Sequence, residues 1–157
     1  DPSTLHIPES WFRDNKVPPG QEQWWRFKAA NFNSVLLFKM GKFYEMFEMD
    51  AYIGVDVLNL QLMKGDKPHA GFPEIRYHHM AEGLARAGHR VVVVEQTETP
   101  DMLKERNQQR KLAGQKADGV VRREKVAVLS KGTMVDAEMV ASRPDASYII
   151  AVAEAPA

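Results

Sequence analysis

The sequence contains no cysteine, which excludes disulfides and thiolate metal sites. It has no excess of charge of either sign, 21 Lys and Arg against 21 Asp and Glu. A chain that grips nucleic acid by neutralising many phosphates needs a basic surplus, so any affinity for DNA must come largely from elsewhere. No apolar run is long enough to cross a bilayer, and no leader with a basic start and an apolar middle is present; the expected compartment is the cytosol or the nucleus. Internal repeats and low-complexity tracts are also missing.

What remains is 157 residues with 44% hydrophobic and 27% charged content, enough for one globular domain with a real core and a short piece of a second. The chain starts at Asp1 without methionine and stops in an apolar run, so it reads as a piece of a longer protein.

Residues 1–18 hold three prolines and no sustained period, which predicts an extended arm resting on Leu5, Ile7, Trp11 and Phe12. Pro19 sits where a helix can begin, and Trp25, Ala29 and Phe32 follow as a helical core stripe. Residues 34–40 form a short, almost continuously apolar run that predicts a buried strand. Beyond Gly41, the positions of Phe43, Phe47, Ala51, Val55 and Leu58 suit one side of a helix. Residues 61–63 read as a brief strand, closed by a turn at 64–67, with a loop carrying Gly71 and Pro73 after it. A helix is expected over 75–87, with Tyr77, Met80, Ala81 and Leu84 inward and Gly88 as its stop. The run 90–96, with four valines in a row, is the clearest strand. Thr99-Pro100-Asp101 opens a polar helix with a weak apolar face, and 120–130 returns to strand. Residues 137–147 read as a linker, and 148–157 as the start of another domain. The fold class is thus α/β: a mixed sheet flanked by helices over 19–136.

Several chemistries find no footing. "MGKF" contains the Gly-Lys of a phosphate loop, but Leu36 and Phe43 stand where that motif needs glycine and Ser or Thr. The tandem His78-His79 lacks the helical spacing and neighbouring glutamate of a helix-borne zinc site. Met40, Met46, Met49 and Met63 read as core fillers. Glu45, Glu48 and Asp50 could pair as acid and base, but clustered carboxylates at a helix start are usually solvated. No serine or threonine stands beside a credible His and acid pair, so no catalytic residue is assigned.

Four blocks carry more information: "GKFYEMFEMDAYIGV" (41–55), "HAGFPE" (69–74), "VEQTETPDM" (94–102) and "VVRREKVAVLSKGT" (120–133). Together with the opening "QWWRFKAANF", and in this order, they resemble the mismatch-binding domain of MutS proteins, in the form carried by the large subunit of the eukaryotic heterodimer MutSα. The resemblance implies that Phe43 wedges into the minor groove and stacks on a mispaired or unpaired base, while Glu45 hydrogen-bonds that base. It implies double-stranded DNA with mismatches or small insertion loops as ligand, a second MutS homologue as partner subunit, and the nucleus as compartment. ATP and Mg would belong to a distant C-terminal domain of the parent protein, leaving this segment without a cofactor, a metal or a reaction of its own. His69 or Ala70 would lie near the mismatched pair.

From local features alone the same residues have plainer readings. Phe43 heads an apparent core stripe, and Glu45 would sit favourably at a helix start. Lys42, Lys39, Lys64, Lys67, Arg122 and Arg123 are candidates to reach phosphates, each equally readable as a solvated surface charge. An alternative function is a protein-interaction module, in which Trp11, Phe12, Trp24, Trp25 and the polar helix after Thr99 dock other domains or a partner subunit.

Overall fold

A computed structural model describes residues 1–133; the expected linker and the start of another domain lie outside the described residues. Five strands, β1 (Val35–Met40), β2 (Phe43–Phe47), β3 (His69–Pro73), β4 (Val91–Gln96) and β5 (Arg123–Leu129), form one sheet in the order β3-β2-β1-β4-β5. Only β1 and β4 run parallel; the other neighbours are antiparallel. The mixed α/β architecture read from the sequence is the one observed. The two central strands are buried on both faces, which explains their uninterrupted apolar runs, Val35 to Phe38 beside Val91 to Val94.

Among the described residues five α-helices flank the sheet: α1 (Glu9–Asp14), α2 (Pro19–Ala30), α3 (Met49–Leu58), α4 (Tyr77–Arg86) and α5 (Pro100–Leu112). On one face Val35, Leu37, Tyr44, Met46, Phe72, Val91 and Val93 pack on Met80, Ala81 and Leu84 of α4 and on the inner side of α3. On the other face Leu36, Phe38, Val92 and Val94 meet Trp24 of α2, with Trp25, Phe27 and Phe47 around them. Gly88, at φ 95°, stops the α4 segment as expected. Thr99 caps α5, its hydroxyl accepting from the Met102 N–H.

The face that α2 turns to the sheet differs from the apolar stripe Trp25, Ala29 and Phe32. Trp24 and Lys28 are its buried residues. Lys28 is hidden because its ammonium donates to Asp50 Oδ1 at 2.9 Å and to Ser34 O at 2.5 Å. The Asp50 carboxylate in turn accepts from the Leu36 N–H at 3.0 Å, where the pairing of β2 with β1 has ended. Burial raises the Asp50 pKa, against the pull of Lys28. A charged residue at the core thus masks the true inner face from any apolar periodicity. The Trp25 side instead receives the N-terminal segment: Leu5 N–H donates to Ala29 O and Phe32 N–H to Ser3 O, both at 2.8 Å.

Four further expectations are corrected. Residues 43–47 are strand, not helix; they alternate outward and inward, and the spacing of Phe43 and Phe47 fits a period of two as well as one of 3.6. Helix begins only at Met49, after Glu48 takes φ 52°. The loop expected at Gly71 and Pro73 is the edge strand β3. Residues 61–63 form no strand, although Met63 N–H donates to His69 O at 2.8 Å. The arm expected to be extended contains α1, whose Trp11 and Phe12 stand edge-to-face at 5.4 Å.

Candidate nucleic-acid interface

Gly41 and Lys42 form the two-residue turn between β1 and β2. Gly41 has φ 63°, the left-handed conformation such hairpin turns require and glycine adopts freely, in a spot where an added Cβ would meet none of the described atoms within 4 Å. The turn fixes the register, Met40↔Phe43 and Phe38↔Glu45, so these four side chains project from one face of the sheet. That is the α2 face, where Trp24 stands against Phe47 and Phe27 against Phe38, with ring centroids 5.8 and 6.3 Å apart. Phe43 is left 45% exposed and Met40 40% exposed.

Glu45 lies next to Phe43 on this face, opposite Gly71 of β3. Its Oε2 is buried and has no hydrogen-bond partner among the described residues. Burial raises the Glu45 pKa, and the nearby charge of His69 opposes the shift. Gly71 is what admits the carboxylate, since a Cβ there would lie 2.6 Å from Oε2. His69 stacks on Phe47 with centroids 6.3 Å apart, its Nδ1 3.0 Å from Lys67 O. A recess lined by Gln21, Met40, Glu45, Phe47, Lys67 and His69 opens beside the exposed Phe43 ring.

The remaining candidates divide. Lys42, Lys64, Lys67 and Arg122 are exposed. Ala70 is buried and pairs with Met46, facing the opposite side of the sheet. Lys39 also faces that side: its ammonium lies 2.6 Å from Glu74 Oε2 and 3.8 Å from Glu95 Oε2, 5.0 Å from the Tyr44 ring centroid. Arg123 is engaged on the α2 face. Its Nε donates to Lys39 O at 2.8 Å, Nη1 donates to Gln23 Oε1 at 2.5 Å, and the guanidinium covers the Phe38 ring at 4.5 Å. Burial lowers its pKa to about 10, so it remains charged at neutral pH. Sequence reasoning did not single out Gly71 or Gln21, and read Met40 as filler. The Met40↔Phe43 pairing was available from the two-residue turn; the role of Gly71 needed the strand to be recognised first.

The arrangement offers an aromatic ring, a desolvated carboxyl and nearby exposed lysines at the end of the sheet face that α2 and the other described residues leave open. A family model described as MutS domain I matches residues 18–138. The chain belongs to the MutS family. The matched span of this MutS domain I takes in all five strands. It is similar to the DNA mismatch repair protein MSH6 of Arabidopsis thaliana, 53% identical over 98% of this chain and 11% of the relative. The human protein Msh6 is 47% identical over 85% of this chain and 10% of its own length. A bacterial relative, DNA mismatch repair protein MutS of Streptococcus suis, is 33% identical over 87% of this chain and 15% of its own. The chain therefore spans about a tenth of the length of the two eukaryotic relatives.

Proposed function

We propose that this MutS domain I recognises mispaired and unpaired bases in duplex DNA during mismatch repair, Phe43 entering the minor groove as a wedge and Glu45 meeting the same base. The observation that carries the reading is the half-exposed Phe43 ring on a stretch of sheet that the described residues leave open, beside a carboxyl oxygen with no partner among them. A ring forced between base steps must offset their unstacking, which costs a few kcal/mol per step and least at a mismatch. Stacking on one base returns about 1 to 3 kcal/mol. The two nearly cancel in intact DNA, so the wedge responds to weakness of the duplex rather than to its sequence.

A carboxylate among phosphates is repelled, which penalises binding to intact DNA. Nearby phosphates would raise further a pKa that burial already raises, and a protonated Glu45 can donate to a base nitrogen. Lys42, Lys64, Lys67 and Arg122 are exposed and suited to phosphates, with His69 beside the mismatched pair. This segment binds and carries out no reaction and holds no cofactor; ATP and Mg belong to another domain of the parent protein. A second MutS homologue supplies further DNA contacts, consistent with zero net charge here, and the complex works in the nucleus.

The test is the affinity for G·T-mismatched against fully paired duplex, with the full-length subunit assembled with its partner, at one salt concentration. Phe43→Ala should abolish the preference while assembly and paired-DNA binding persist. A preference that survives overturns the wedge.

Docking of a neighbouring domain or subunit is favoured as a second reading only at α5, which buries no residue and leaves Leu112 89% and Met102 49% exposed. Two of the four aromatic residues proposed for docking are spent inside, Trp24 being 1% and Phe12 6% exposed, and Trp11 and Trp25 are part-buried. Leu112→Ser should then weaken assembly and leave mismatch preference intact in whatever complex forms.

A further inference from the structure

The wedge hairpin is held from behind by Glu74, the first residue after β3. Phe43 pairs with Pro73, which has no N–H to donate. Glu74 continues the ladder on the next rung, its N–H donating to Lys42 O at 2.8 Å. Its carboxylate reaches around the same turn to Lys39 Nζ at 2.6 Å. One residue thus grips both sides of the turn, Lys39 before Gly41 and Lys42 after it. Arg123 holds the Lys39 carbonyl from the other face of the sheet. Lys39 is therefore fixed through its side chain and its backbone, and Phe43 stands four residues on.

The Glu74–Lys39 pair is a poor stability device. The Glu74 side chain is 42% exposed and that of Lys39 12%, and an ion pair open to water at one end contributes modestly to folding. Its effect falls instead on the geometry of the turn, since a loosely held wedge must be ordered when it binds.

We infer that Glu74 is a positioning residue for mismatch recognition, clasping the Met40–Phe43 turn through Lys39 and Lys42 so that the Phe43 ring is presented ready for insertion. The inference rests on the wedge reading above. It gives Lys39 a structural part in the same clasp instead of a phosphate contact.

The test uses the full-length subunit assembled with its partner, and G·T against paired duplex over a range of salt. Glu74→Ala keeps the backbone N–H to Lys42 and should lower the mismatch preference about two- to tenfold, the range expected when one contact side chain must be ordered on binding. Paired-DNA affinity and its salt slope should stay unchanged. Glu74→Gln, whose amide oxygen still accepts from Lys39, should recover most of the preference. Lys39→Met, which also gives up the longer Glu95 contact at 3.8 Å, should lower the preference at least as much as Glu74→Ala, and the double variant should be no worse than Lys39→Met alone, because Glu74 acts through Lys39.

A wild-type preference in Glu74→Ala overturns the clasp. So does an equal change in both affinities, which would mark plain electrostatics. A salt slope reduced by about 0.9 in Lys39→Met would make Lys39 a phosphate ligand and likewise overturn it. Phe43→Ala in parallel separates the two ideas: if it abolishes the preference while Glu74→Ala does nothing, only the clasp fails; if it retains the preference, wedge and clasp fall together.

Discussion

Glu45 and Gly71 face each other across the β2–β3 ladder, so closely that a Cβ at position 71 would lie 2.6 Å from Glu45 Oε2 and 2.9 Å from the Tyr44 carbonyl oxygen. Gly71→Ala should therefore push the Glu45 side chain outward and strain the strand, costing about 1–3 kcal/mol as overpacking does. Urea unfolding measures the cost. Adding Glu45→Ala should recover only part of it, because the backbone contact at Tyr44 remains.

Glu45 should also make stability depend on pH in a definite direction. Its pKa is raised by burial in the folded chain, so keeping it ionised there opposes folding above the folded-state pKa. That cost disappears as pH falls through the folded value toward the unfolded one. Glu45→Gln should raise the melting temperature at about pH 8, and the gain should shrink to nothing at about pH 4. A gain independent of pH would show that the carboxyl is not the source.

On DNA the same side chain separates donation from charge. Glu45→Gln, which can still donate, should retain mismatch binding in the assembled protein; Glu45→Ala should lose discrimination. Equal losses in the two variants would remove the protonated carboxyl from the account.

The buried pair Lys28–Asp50 ties α2 to α3 and to β1. Lys28→Met leaves the Asp50 carboxylate buried without its cation, which should cost about 3–5 kcal/mol in chemical unfolding. Lys28→Met with Asp50→Asn should recover much of the loss, since the asparagine oxygen can still accept from the Leu36 N–H. A double variant as unstable as the single would place the strain elsewhere.

The contrast between these residues shows what the sequence discloses. The central strands are legible because burial on both faces demands unbroken apolar runs, and Val91 to Val94 admits no other reading. The helical reading of residues 43–47 fails because four residues return a side chain to the same side in either element, so the i, i+4 pair Phe43 and Phe47 cannot decide. The intervening Tyr44 and Met46, both buried, settle it for strand. Phe43 and Glu45 were marked by resemblance to the family; their meeting on one face follows from the period of two once residues 43–47 are strand, which the local sequence left open. Lys39 and Arg123 look in the sequence like any basic residue near a turn, and their engagement with Glu74, Gln23 and backbone oxygens is tertiary.

The place of β3 at the sheet's margin has a consequence for how the domain behaves in company. An outermost strand displays amide and carbonyl groups that can recruit a strand from another molecule, beginning aggregation. Here the strand is only five residues long, is bracketed by Pro68 and Pro73, and has its His69 carbonyl occupied by the Met63 N–H. Proline cannot donate to an added ladder. The surface that bears Phe43 can thus remain bare and partly apolar without its neighbouring border zipping onto copies of itself, as the proposed role of a sensor waiting for rare lesions would require.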